Sequence, residues 1–183
     1  MKIVLASRSP QRKEILERLG LEFEIVVPEV AEVQVGDPAA DVLENARRKA
    51  TSVPAGAGTL VIGCDTDVAL DGGVLGKPAN EVQAREFLEL LSGRTHEVLS
   101  GLALAGPGEA EREGVARSQV TFRRLTGPEV ERYLRSREWR ERAGAYAIQG
   151  LGSTLVERVE GDVSNVIGLP VALLLELAPE LGR

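Results

Sequence analysis

Apolar and polar positions alternate along the chain in two periods, and the switches between them mark the elements. Residues 2–6, Lys-Ile-Val-Leu-Ala, are a short apolar run of the kind that forms a buried strand. Ser9-Pro10 then supply an N-cap and a first-turn proline; Ile15, Leu16 and Leu19 keep helical spacing, and Gly20 closes the helix. Residues 21–27 alternate and predict a second strand. A loop over 28–37 carries Glu29 and Glu32. Asp37-Pro38 opens a helix to about Thr51, with Val42, Leu43, Ala46 and Ala50 inward and Lys49 near its C-terminal end.

The stretch from Leu60 to Pro78 reads LVIGCDTDVALDGGVLGKP. Its first half is too short for a helix and suits a buried strand, and Asp71-Gly72-Gly73 is a hairpin signal. Two registers are open. A two-residue loop at Asp71-Gly72 pairs Thr66 with Lys77 and puts Asp65 on the opposite face. A three-residue loop pairs Asp67 with Lys77, so that Asp65, Asp67 and Lys77 share a face where carboxylates and an ammonium could hold a metal and a phosphate chain.

Further on, Asn80 caps a helix with Val82, Phe87, Leu88 and Leu91 apolar, ended by Ser92-Gly93. Residues 95–105 and 115–125 read as partner strands around a turn at Gly106-Pro107-Gly108. Thr126 and Glu129 form a capping box for a helix to about Arg135. Residues 143–151 are small, turn-rich and contain Gln149. A strand over 153–159, a loop over 161–166 and a closing helix over 169–177 complete an α/β pattern. It is a mixed, twisted β-sheet with flanking helices.

At 183 residues the chain suits one domain or two closely packed lobes. No apolar segment nears the roughly 20 residues that span a bilayer, so no membrane partner is expected. The N-terminal apolar run stops at Ala6 before charge, unlike a secretory signal, and the cytoplasm is the expected location. A net charge of −6 argues against a nucleic-acid partner, which calls for a basic stripe, but not against a nucleotide. Only Lys2, Lys13, Lys49 and Lys77 are lysine among 22 basic residues. In so arginine-rich a chain, Lys49 and Lys77 are candidates for places that need a compact ammonium.

The candidate chemistry narrows by exclusion. GVLGKP lacks the glycine spacing and the Ser/Thr of a P-loop, and neither G-x-G-x-x-G nor G-x-S-x-G occurs. His96 is the only histidine, which removes triads and His-rich metal sites. Cys64 beside an apolar run is a packing residue. A metal would be held by carboxylates and water, which favours Mg²⁺ or Mn²⁺. At the first strand–loop–helix junction, free backbone N–H groups and Ser7, Arg8, Gln11 and Arg12 compose an anion-binding arrangement.

Three blocks together resemble the Maf family of septum-formation-inhibitor-like nucleotide pyrophosphatases: ASRSPQRKEIL, IGCDTDVALDGGVLGKP and AGAYAIQGLGSTLVERVEGDVSNVIGLP. LLSGRTHEV and VTFRRLT fit as well. The resemblance implies a two-lobed fold with a central cleft, like that of inosine triphosphate pyrophosphatases. It implies hydrolysis of a nucleoside triphosphate to the monophosphate and pyrophosphate, a divalent metal cation and a homodimer. Catalytic positions of the family fall on Ser7, Arg12, Glu32, Lys49, Asp65 and Lys77. Asp65 would be the proton acceptor, Glu32 and Asp65 metal ligands, and Arg12, Lys49 and Lys77 the cations that neutralise the triphosphate.

Three positions associated with base specificity in the family are Gln11, Thr66 and Gln149 here. Thr66 and Gln149 match the subgroup resembling dTTP/UTP pyrophosphatases. Gln11 departs from it, because that subgroup has Arg there. The resemblance therefore implies dTTP and UTP as substrates, with 7-methyl-GTP or other purine nucleotides as the alternative. A non-catalytic, nucleotide-binding regulator of septum formation is a third reading.

Overall fold

The computed structural model describes residues 1–34, 36–106 and 112–182. Residues 107 and 108 of the turn expected at 106–108 lie outside them. Lys2–Ala6 (β1) is parallel to both of its neighbours, Glu24–Val26 (β2) and Thr59–Leu70 (β3). Gly73–Leu75 (β4), Thr95–Ala105 (β5), Arg112–Phe122 (β6) and Val156–Glu160 (β7) all pair antiparallel. The seven-stranded order is β2-β1-β3-β5-β6-β7, with β4 attached to β3. The helices are Pro10–Arg18 (α1), Pro38–Thr51 (α2), Glu81–Leu91 (α3), Gly127–Ser136 (α4), Val163–Ile167 (α5) and Val171–Leu177 (α6). The expected mixed α/β sheet with flanking helices is what forms.

Side-chain alternation gives β3 two different faces. Its odd positions meet α2, whose Val42, Ala46 and Ala50 are buried against Val61 and Ala69. The contact is close enough to require glycine at two places. A Cβ on Gly63 would stand 2.2 Å from the Ala46 carbonyl oxygen, and one on Gly101 would stand 2.1 Å from that of Val42. On the even face, Ile62 and Cys64 pack with Leu5, Ile15, Leu16, Leu102 and Leu174. Further along the same face, Val68 and Leu70 enter a second core with Leu88, Val98, Phe122, Tyr133 and Trp139. The polar triplet Asp65-Thr66-Asp67 lies between these two cores.

The hairpin takes the two-residue loop. Leu70 pairs with Gly73, and Asp71 and Gly72 turn with φ of 52° and 79°. Both central residues at positive φ make the turn whose twist matches the strands, and Asp is among the few non-glycine residues that tolerate that conformation. The register uniting Asp65, Asp67 and Lys77 on one face is thereby overturned. Pairing ends at Val68 with Leu75, before Lys77 is reached.

Other boundaries also shift. The strand expected over 21–27 shortens to an exposed edge strand, and β6 begins earlier and ends at Phe122. Residues 150–154 form a 3-10 turn ahead of β7. Residues 161–166 are not simply a loop. The Asp162 carboxylate accepts from Ser164 N–H at 2.7 Å and starts α5, between glycines at φ 110° and 132°.

His96 gives the fold a sensitivity to acid. It is 2% exposed, its Nε2 lies 2.8 Å from the Tyr146 hydroxyl, and Phe122 and Tyr146 meet its ring edge-on. Burial pushes its pKa down from 6.5 to about 4. Between those values the unfolded chain binds a proton that the folded chain refuses, so stability rises with pH across that window and falls as pH drops through it. The loss is about 3 kcal/mol by pH 4. The difference between the pH-dependent melts of the wild type and His96→Gln from pH 7 to 4 isolates this slope, and the wild type should lose stability relative to the variant as pH falls.

Candidate active site

α2 presents a polar stripe beside its apolar one. Asp41, Asn45 and Lys49 are four residues apart, and all three are buried. Opposite them in β3 stands Asp65. Its Oδ1 lies 2.7 Å from Lys49 Nζ, and its Oδ2 accepts from Asn45 Nδ2 at 2.9 Å. Lys49 Nζ also donates to Glu32 Oε1 at 2.7 Å. The side chains of Lys49 and Asp65 are 10% and 11% exposed, whereas Glu32 is 59% exposed. One buried ammonium thus joins an interior carboxylate to one open to solvent. Such a pair survives burial because the remaining hydrogen-bonding sites are filled, here by Asn45 and Glu32.

Asp67 follows on the same strand face. Burial, then the charges of Asp65 and Glu32, pushes its carboxyl up to about 6. The region carries more negative charge than Lys49 alone offsets.

Arg12 occupies the other face. Its Nε donates to the Gly168 carbonyl at 2.8 Å, and its Nη1 donates to the Cys64 carbonyl at 2.8 Å and to Ser7 Oγ at 3.3 Å. Its Nη2 donates to Thr66 Oγ1 at 3.1 Å. Arg12 is 8% exposed and forms no ion pair among the described residues, so it leaves a buried positive charge unneutralised. The Thr66 hydroxyl also lies 2.8 Å from Ser100 Oγ. The three sequence blocks therefore meet at this guanidinium.

Of the residues singled out from sequence, Glu32, Lys49 and Asp65 come together on the α2 face, and Ser7, Arg12 and Thr66 on the other. Gln11 lies close to the second group, its Oε1 accepting from Ser9 Oγ at 3.0 Å. Lys77 is not brought to Asp65. Its side chain is 57% exposed, and its Nζ lies 3.5 Å from Glu141. Gln149 is half-buried ahead of the 3-10 turn, and its side chain makes no hydrogen bond among the described residues. Sequence reading missed Asn45 and Asp41. The four-residue spacing with Lys49 was the available signal.

A hard divalent cation suits this donor set in chemistry. Glu32, Asp65 and Asp67 offer carboxylate oxygens in a region of excess negative charge. Among the described residues no group of three or more such side chains is placed to hold a metal by itself. Mg²⁺ commonly binds through one or two carboxylates plus substrate phosphates, so the set fits an ion that arrives with a nucleotide.

A family model described as Maf-like protein matches residues 2–181. The chain is 47% identical over 178 residues to a Deinococcus radiodurans protein named dTTP/UTP pyrophosphatase, covering 96% of this chain and 91% of that one. It is 44% identical over 177 residues to a Bacillus cereus protein of the same name, covering 95% and 87%. Among solved structures it is similar to a nucleoside-triphosphatase, a dITP/XTP pyrophosphatase from Mycobacterium abscessus. That match is 25% identical, covers 68% of this chain and 76% of that chain, and has a TM-score of 0.44.

Proposed function

The chain belongs to the Maf family, and from that membership and the Asp65 site we propose that it hydrolyses dTTP and UTP to the nucleoside monophosphate and pyrophosphate. The observation that carries the reading is Asp65, a nearly buried carboxylate held by Lys49 and Asn45 beside the solvent-open Glu32. Relatives of similar length that carry the dTTP/UTP pyrophosphatase name supply the substrate.

In this reaction a water oxygen bonds to the α-phosphorus while the bond from that phosphorus to the bridging oxygen breaks. Asp65 accepts the water's proton, and pyrophosphate leaves. Lys49 holds Asp65 in place and keeps positive charge beside it. Arg12 supplies an unneutralised cation next to the first helix's N-terminus, where phosphate oxygens are favoured. Lys77 is free to engage phosphate, because its present partner Glu141 is a surface contact of little energy. A bound Mg²⁺ or Mn²⁺, held by Glu32 and Asp65, would add positive charge against the phosphoryl oxygens and lower the pKa of nearby water.

A panel of dTTP, UTP, 7-methyl-GTP and ITP, assayed for released pyrophosphate with Mg²⁺, with Mn²⁺ and with chelator, tests this. Turnover should be highest for dTTP and UTP and vanish with chelator. A preference for either purine nucleotide overturns the substrate assignment, and no turnover on any of the four overturns the hydrolase reading.

A further inference from the structure

The loop that carries Glu32 runs across the surface with no secondary structure of its own, and Glu29, Ala31, Glu32 and Gln34 are exposed. Among the described residues, the hydrogen bonds tying the backbone of 28–36 to the body of the protein come from two side chains of α2. Asp41 Oδ2 accepts from Gly36 N–H at 3.3 Å. Asn45 does more. Its Oδ1 accepts from Val33 N–H at 2.8 Å, and its Nδ2 donates to the Val33 carbonyl at 3.1 Å. The same Nδ2 gives its second hydrogen to Asp65 Oδ2.

We infer that Asn45 is a positioning residue for the proposed hydrolysis, fixing Glu32 relative to Asp65. The inference rests on reading those two carboxylates as working groups. A single amide faces both of them. Two bonds to the backbone of one residue hold Val33 in position and orientation, so Glu32, the residue before it, projects from a fixed point. The third bond stops the Asp65 carboxylate from rotating away from Lys49. Only a primary amide of this length offers two donors and an acceptor from one buried position. A carboxylate lacks the donors, and an aliphatic chain leaves Val33 and Asp65 Oδ2 without partners. Asn45 is 3% exposed, on the polar stripe of a helix whose adjoining stripe is apolar. Its polar use there needs a reason, and the two carboxylates provide one.

The test is Asn45→Leu, of similar volume, with steady-state kinetics on dTTP and amide hydrogen exchange at Val33. Losing hydrogen bonds to the Asp65 carboxylate and the loop should lower kcat about tenfold while KM holds, the scale of one bond to a charged group. Exchange at Val33 should accelerate by at least about tenfold, because Asn45 is its one protecting acceptor among the described residues. Val33→Pro removes the loop's donor and leaves α2 intact. It should show the same kcat loss, which a fault confined to helix packing would not produce. Wild-type kcat in both variants, or an unchanged Val33 exchange rate in Asn45→Leu, overturns the positioning role. An inactive wild-type protein would instead overturn the hydrolase reading, and the role with it.

Discussion

Asp65→Asn should leave a folded protein with almost no pyrophosphate release, kcat falling by about 10²–10⁴, the range for removal of a positioned base. The substitution keeps the shape and removes the charge. Its local consequences follow from two neighbours. Lys49 Nζ needs an acceptor and Asn45 Nδ2 needs another, and an amide at 65 can satisfy only one of them with its oxygen. The other side of the amide then sets an N–H against a donor. Lys49 keeps Glu32 as a partner, so the cost to stability should be about 3 kcal/mol, the low end for breaking a buried pair. Circular dichroism and a thermal melt establish that the variant folds. A kcat within tenfold of wild type would remove Asp65 from the chemistry.

Gly63→Ala and Gly101→Ala should have the largest effects on stability of any single methyl group added to the sheet. At both positions the new Cβ would stand little more than 2 Å from a carbonyl oxygen of α2, well inside contact distance. Helix backbone cannot yield as a side-chain tip can, so α2 as a whole must lift from the sheet. Overpacking of this kind costs about 3 kcal/mol or more, and the melting temperature should fall by roughly 6–12 °C. Because Lys49 and Asn45 ride on the same helix, kcat should fall as well, even though neither glycine touches substrate. Gly56→Ala is the control, with nothing within 4 Å of its Cβ, and it should melt like the wild type. If Gly63→Ala melts with Gly56→Ala, the tight seat of α2 does not bear on stability.

The working parts of the site were legible to different depths, for reasons that differ residue by residue. Lys49 stood out because lysine is scarce in the chain, and it does occupy a place where an ammonium bridges two carboxylates. Asp65 stood out because charge follows directly on a buried strand. The hairpin register stayed open because Asp71-Gly72-Gly73 satisfies a two-residue and a three-residue loop equally well. What decides between them is whether Asp71 accepts positive φ, and composition does not reveal that. The five-residue α5 is too short to show helical periodicity. Asn45 escaped notice for another reason. A polar residue in a helix reads as a solvated one until the loop that covers it is known, and contact with Val33 is a tertiary fact.

The bond from Arg12 to the Gly168 carbonyl spans 156 positions of chain. On a ribosome the first block emerges early and must wait for the last. At about 5–20 residues per second that interval is roughly 8–30 s. Throughout it, the N-terminal helix holds an arginine that lacks at least the last of its four acceptors, the Gly168 carbonyl. The nascent protein therefore cannot complete its anion-facing half until the segment carrying Gly168 has emerged. A release-arrested chain ending short of Gly168 should lack this half while a chain extended past it acquires it, which ties the birth of the binding face to the emergence of Gly168.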